Sequence, residues 1–263
     1  MKESLTIVKV GGAVLEDPGK LSIFLKGFTS IEGKKILIHG GGKTATKFAD
    51  KLGVKSKMID GRRITDDAIL DLVIMTYGGL INKKLVAQLS ALGVKSIGIT
   101  GADNNCILSS KRPEINGIDY GWVGDIEEVS TSAFEAFFDT NTVPIVAPLT
   151  CDGNGNLLNT NADTIASEIA CAFARSFNVS LNFVFDLNGL REDISDETSL
   201  IKSIDQIKYQ ELKKKGVISN GMIPKLDNAF ATISEGVSHV RLLNVEALSE
   251  LSNPNFDDYT IIR

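Results

Sequence analysis

The chain has 263 residues, a formal net charge of −5 at neutral pH, 43% apolar and 23% charged residues. That length supports one large domain or two modest ones with a real core, and the acidic balance argues against a nucleic-acid surface. No apolar run approaches the eighteen or so residues that a membrane span needs.

Met1-Lys2-Glu3-Ser4 passes straight into a strand, so no signal peptide is expected. Cys106, Cys151 and Cys171 lack metal-ligand or redox spacing and read as reduced thiols of a cytoplasmic protein. His39 and His239 are the only histidines, which leaves little room for a histidine metal site or general base.

The first predicted element is the strand Leu5-Thr6-Ile7-Val8-Lys9-Val10, which stops at Gly11-Gly12. Lys9 is a cation in an apolar strand, either an edge-strand side chain reaching water or a charge aimed at a ligand. After Glu16-Asp17-Pro18-Gly19, the period of Leu21, Phe24, Leu25 and Phe28 predicts a helix. The apolar run Ile36-Leu37-Ile38-His39 then ends at Gly40-Gly41-Gly42, and Lys43 to Leu52 reads as helix. A strand that feeds a glycine loop at a helix N-terminus is suited to an anion, because unpaired N–H groups and the dipole favour negative charge there. A tight strand-to-helix turn is the alternative. The Walker pattern fails because Leu37 stands where its first glycine should be. Gly40-x-Gly42-x-x-Ala45, followed by Asp60, fits a dinucleotide fingerprint loosely.

Lys57 to Ile64 reads as a hairpin turning at Asp60-Gly61. Thr65 is the expected N-cap of a long helix through Leu92, and Gly78-Gly79 within it suggests close packing against another backbone. Val94 to Thr100 is a strand, Gly101 to Val129 antiparallel hairpins, Ser132 to Asp139 a helix and Thr142 to Pro148 a strand. Asp152 to Asn156 is a turn that lacks the bidentate acid of a calcium loop. Asn161 caps a helix running to about Asn178, and Ser180 to Asp186 is a strand followed by the turn Leu187-Asn188-Gly189. Helices over Asp205–Lys215 and up to Glu235 and strands at His239–Leu243 and Tyr259–Ile262 close the chain. Alternating strands and helices imply an α/β fold with a mainly parallel sheet.

Taken singly, Lys225 reads as a surface lysine, Asp163 as a dipole-satisfying first-turn acid, Asp186 as a turn cap and Arg63 as a surface charge. As a set they carry a resemblance. Lys9-x-Gly11-Gly12, His39-Gly40-Gly41-Gly42, Asp60-Gly61-Arg62-Arg63-Ile64-Thr65, Gly79-x-Ile81-Asn82-Lys83, Gly121-x-Val123-Gly124, Asn159-x-Asn161-Ala162-Asp163 and Gly221-Met222-x-x-Lys225 occur in this order. Together they resemble the amino acid kinase family, within it the acylglutamate branch, from about Thr6 to the C-terminus.

The resemblance implies a three-layer sandwich around a central, mainly parallel open sheet, the carbamate kinase-like fold, in one domain. Its N-terminal lobe (about 1–178) would bind the acyl amino acid and its C-terminal lobe (about 179–263) ATP. It implies transfer of the ATP γ-phosphoryl group to the side-chain carboxylate of N-acetyl-L-glutamate, an early step of arginine biosynthesis, with N-succinyl-L-glutamate as the alternative acceptor. A carboxylate is already ionised, so no general base is required. Lys9 and Lys225 would flank the transferring group, Asp163 would orient both, and the amides of Gly11, Gly12, Gly41 and Gly42 would add donors. Arg63 would clamp the substrate α-carboxylate, with Asn159 and Asn161 beside it. Asp186, Asn188, Gly189, Gly221 and Met222 would hold the nucleotide, and Mg2+ would ride on its phosphates without a protein ligand. Because the first strand starts by about Leu5, the expectation is an arginine-insensitive homodimer paired through the helix from Asp66 to Leu92. Gly98 to Ile107 with Arg62 is the stretch expected to accommodate a succinyl group. Three alternatives stand beside this: another phosphotransferase of the family, which should lack the pairing of Asn159-x-Asn161-Ala162-Asp163 with Arg63; an NAD-binding oxidoreductase, which would leave Lys9 and Lys225 unexplained; and a non-catalytic metabolite sensor, which would be expected to lose a lysine or Asp163.

Overall fold

The computed structural model describes residues 2–59, 62–193, 195–196, 198–218, 222–251, 253 and 255–263. Its contacts divide the chain into two compact units, one of Leu37–Ile165 and one of Met1–Ile36 with Ala166–Arg263.

In the second of these units the strands run in the order Ser203–Ile204, Thr260–Ile262, His239–Leu243, Asn178–Val184, Ser4–Val10, Lys34–His39, the last strand straddling the unit boundary. Ser4–Val10 pairs in parallel with Asn178–Val184 along its whole length, from Ser4 opposite Asn178 to Val10 opposite Val184. This ladder is why residues 1–36 group with the C-terminal part of the chain, a division that differs from the expected lobes meeting near residue 178. It also places Lys9 on an interior strand, which removes the edge-strand reading. Asn178–Val184 pairs in parallel with His239–Leu243 and Ser203–Ile204 in parallel with Thr260–Ile262, whereas His239–Leu243 and Thr260–Ile262 pair antiparallel.

The Pro18–Ser30 helix starts where Asp17 accepts from the amides of Gly19 and Lys20, with proline at the first helical position. Phe24 and Phe28, one turn apart, are buried and stack at 6.1 Å. Its far end is closed by the buried Lys35, whose ammonium donates to the carbonyls of Phe28, Thr29 and Ile31.

The Leu37–Ile165 unit places Val143–Val146 between Lys34–His39 and Ser96–Ile99, all parallel. It adds a four-stranded sheet in the order Leu157–Asn159, Leu149–Cys151, Ile107–Lys111, Gly124–Val129, which contains the antiparallel hairpin expected between Gly101 and Val129. Met58–Ile59 and Arg62–Arg63 pair antiparallel as expected, and the turn residues Asp60 and Gly61 lie outside the described residues.

The long helix departs from expectation in two ways. Its cap is Asp66, whose carboxylate accepts from the amide of Ile69. Thr65 is instead fully buried and hydrogen-bonded elsewhere. The helix is also not uniform: α-helix Asp67–Val73 passes into a π-helical stretch, Ile74–Ile81, and back to α-helix Asn82–Ala91. Gly78 and Gly79 fall in that stretch. Gly78 meets side chains of Leu149 and Thr100 rather than backbone, and nothing lies within 4 Å of the Gly79 Cβ direction. The helix capped by Asn161 ends at Ala174, earlier than expected, because Asn178 already opens the next strand.

Candidate active site

The buried strand Lys34–His39 delivers the glycine loop to the helix Gly42–Leu52. That helix has Gly41 at its N-cap and no side chain closing its first turn, so its leading amides keep the donor capacity that suits an anion. Gly41 is buried against the π-helical stretch. A Cβ there would stand 2.7 Å from both Ile81 Cδ1 and Tyr77 Cδ1, so only glycine lets the loop pass.

Arg63, from the short hairpin, lies over this helix start with 7% of its surface exposed. Its Nη2 donates to the carbonyl of Gly42 at 3.0 Å and to Thr46 Oγ1 at 2.8 Å, and its Nη1 donates to Ser56 Oγ. These partners are uncharged, so they orient the guanidinium without neutralising it. Burial pushes the Tyr77 phenol up, and the neighbouring Arg63 charge opposes that shift. Sequence reasoning placed Gly41, Gly42 and Arg63 in one site, and the structure brings them together. It missed Tyr77, Thr46 and Ser56. A usable signal for Tyr77 was its position four residues before Ile81, on the face that meets the loop.

Asn159 donates to Thr65 Oγ1 at 3.0 Å, and its backbone amide bonds the Trp122 carbonyl. Thr65 in turn exchanges backbone bonds with Tyr120 and Trp122, so Asn159 is tied to the Arg63 hairpin. Asn161 Oδ1 accepts from the amides of Asp163 and Thr164. Its side-chain oxygen is thus the cap of this helix. Asp163 follows in the first turn of that helix, with one carboxylate oxygen shielded from solvent.

In the other unit, Lys9 sits opposite Phe183 near the C-terminal ends of two parallel strands. Lys225, in the first turn of the helix Ile223–Ser234, holds its ammonium 5.8 Å from the ring of Phe185. Both lysines therefore lie near the C-terminal end of the Asn178–Val184 strand, the end of an open α/β sheet at which ligands bind. Four of the residues expected at the site already have partners here. The Gly11 amide donates to the Val184 carbonyl at 3.0 Å, continuing the ladder, so it is not an anion donor; Gly12, next in line, opens the short helix Gly12–Glu16. Asp186 bonds the ammonium of Lys20 at 2.5 Å, raising the Lys20 pKa. Asn188 bonds Asp258 and Arg191. Gly189 packs on Thr260, whose Oγ1 would lie 2.3 Å from a Cβ. Met222 caps the Lys225 helix, and Gly221 lies outside the described residues.

A mainly parallel α/β chain with an open glycine-led helix start, a buried guanidinium over it and two lysines at strand ends defines a protein built to handle phosphate and carboxylate groups. Residues 4–244 match the amino acid kinase family. The chain belongs to that family. It is 51% identical over 253 residues to a protein named acetylglutamate kinase from Cytophaga hutchinsonii, covering 96% of each chain. A protein of the same name from Phocaeicola vulgatus is 49% identical, covering 95% of this chain and 97% of that one. Among solved structures, smu.665 from Streptococcus mutans superposes with a TM-score of 0.76 at 25% identity over 98% of both chains. Carbamate kinase from Giardia lamblia does so with a TM-score of 0.69 at 12% identity, covering 99% of each, which shows the shared fold.

Proposed function

We propose that this chain transfers the γ-phosphoryl group of ATP to the side-chain carboxylate of N-acetyl-L-glutamate, giving N-acetyl-L-glutamyl 5-phosphate, an early step of arginine biosynthesis. The observation that carries this reading is the Arg63 guanidinium fixed over the open start of the Gly42–Leu52 helix. A fork of donors held by uncharged partners matches a planar carboxylate, and the adjacent amides supply further donors. The names of the half-identical relatives support the same acceptor.

The substrate carboxylate is its own nucleophile: its oxygen bonds the γ-phosphorus while the bond to the β-phosphate oxygen breaks. The protein's task is to bring two anions together and to stabilise charge on the equatorial and leaving oxygens. Lys9 and Lys225 supply the positive charge, and Asp163 orients their ammonium groups. Gly12, Gly41 and Gly42 offer amides, and Arg63, Asn159 and Asn161 hold the α-carboxylate and acyl amide. Asp186, Asn188, Gly189, Gly221 and Met222 serve the nucleotide; Asp186 and Asn188 do so after exchanging their present partners. Mg2+ travels with the nucleotide phosphates and neutralises them. The enzyme works in the cytoplasm as a homodimer, paired through the helical stretch from Asp66 to Leu92, where Met75 and the C-cap residue Leu92 are exposed. Light scattering that gives a hexamer would overturn the dimer.

The test is ATP consumption with N-acetyl-L-glutamate, N-succinyl-L-glutamate, glutamate and α-aminoadipate in parallel, trapping acyl phosphate as hydroxamate. Turnover with the acetyl compound, reduced on the order of 10²–10³ in Lys9→Ala and Lys225→Ala, is expected. Preference for the succinyl compound would reassign the acyl group, and no hydroxamate from any acceptor would discard the reading.

A further inference from the structure

His39 precedes the glycine loop, is fully buried and holds no acid–base task in the proposed reaction. Its surroundings assign it another. Nδ1 lies 2.8 Å from the carbonyl of Gly40, an atom that can only accept, so Nδ1 carries the proton. Nε2 is then an acceptor, and it faces the side-chain nitrogen of Asn82 at 3.2 Å. The same Asn82 nitrogen donates to the carbonyl of Ile145 at 2.8 Å, which fixes the orientation of the amide. Lys83 Nζ bonds both Asn82 Oδ1, at 3.3 Å, and the carbonyl of Gly98, at 2.8 Å. Asn82 is 1% exposed. Its Oδ1 would lie 1.7 Å from a Cβ on Gly98, so the neighbouring strand has been left bare to admit it.

A buried chain of hydrogen bonds therefore runs from the strand Val143–Val146 through Asn82 and His39 to the Gly40 carbonyl. Asn82 is the first residue after the π-helical stretch, whose Tyr77 and Ile81 press on Gly41. The loop is gripped twice by one element. Tyr77 and Ile81 set how close it comes, and Asn82, through His39, sets which way its first peptide turns. With the Gly40 carbonyl drawn to the imidazole, the Gly41 N–H of the same trans peptide points the opposite way, away from His39.

We propose that His39 and Asn82 are a positioning pair for this kinase. They hold the neutral Nδ1–H tautomer of His39 on the Gly40 carbonyl, so that the Gly41 and Gly42 amides are preset for the acceptor's carboxylate. The inference rests on the acceptor role given above to Gly41 and Gly42.

Three measurements test it on the intact protein. In ¹⁵N-resolved spectra of the wild type, His39 should show Nδ1 protonated and Nε2 unprotonated, without titrating between about pH 8 and pH 5. Asn82→Ala and His39→Gln, which cannot make the relay, should speed amide exchange of Gly41 and Gly42 by about tenfold or more. They should also raise KM for N-acetyl-L-glutamate about tenfold while KM for ATP changes less than about twofold. His39→Asn sets its side-chain nitrogen where Nδ1 stood and should restore most of the loop protection. A protonated Nε2, or folded variants with unchanged loop exchange, would overturn the pair. If the wild type turns over no acyl amino acid, the functional reading falls, and the tautomer and exchange data still decide the positioning role.

Discussion

Arg63 donates to the carbonyl of Gly42, 3.0 Å away and 21 residues earlier in the chain. The bond ties a short hairpin to the first residue of the helix that follows the glycine loop, and it satisfies one arm of a buried cation without cancelling its charge. A guanidinium can hold Ser56, Gly42 and Thr46 and still offer donors to a ligand; an ammonium on a flexible stem cannot span these directions. Arg63→Lys is therefore expected to raise KM for the acyl amino acid by about tenfold or more and to lower stability by about 1–2 kcal/mol, read from steady-state kinetics and urea unfolding. Unchanged KM would remove Arg63 from the substrate site.

Gly41→Ala tests the fit between the loop and the π-helical stretch. The added methyl meets the Tyr77 ring and the Ile81 tip at 2.7 Å, and the ring cannot move far because Tyr77 is 5% exposed. A loss of about 1–3 kcal/mol in thermal or urea unfolding is expected from such overpacking. The double variant Gly41→Ala, Tyr77→Leu should recover part of it, and no recovery would place the strain elsewhere.

His39 is buried and His239 half-buried, and the surroundings of each keep it neutral. Burial lowers the pKa of His39 to about 4, and burial with the nearby Arg241 charge lowers that of His239 to about 4. The unfolded chain takes up these protons as pH falls below about 6.5, whereas the native chain does so only near 4. The stability they contribute is full above about pH 6.5 and is lost as pH falls toward 4. His39 alone should account for about 2 kcal/mol between pH 7 and pH 5. Urea midpoints measured across that range should fall less steeply in His39→Asn than in the wild type; parallel slopes would refute the assignment.

Asp66 and Thr65 are neighbours with different tasks, and single substitutions separate them. Asp66→Ala removes the carboxylate that accepts from Ile69 and should cost about 1 kcal/mol of stability with KM values little changed. Thr65→Val removes the oxygen that receives Asn159 and should act on acceptor binding, raising its KM. If Thr65→Val altered only stability, Asn159 would not be held for the substrate.

What the sequence determined by itself was every feature with a local cause. Apolar runs ending in glycine marked the strands and the loop, Asn161 marked a helix start, and the ordered motifs marked the family. In these cases the signal lies within a few residues of the structure it causes. What only the tertiary structure decided were matters settled between distant segments. Lys9 lies on an interior strand because Ser4–Val10 pairs with a strand some 170 residues away in sequence, which also joins residues 1–36 to the C-terminal unit. The Gly11 amide goes to Val184 for the same reason. Thr65 lost its cap role to Asp66 because its hydroxyl was required by Asn159, and the π-helical register follows from no single residue's propensity. His39 and Asn82 are 43 residues apart, and hydrogen-bond satisfaction in a buried site, which has no sequence period, is what joins them.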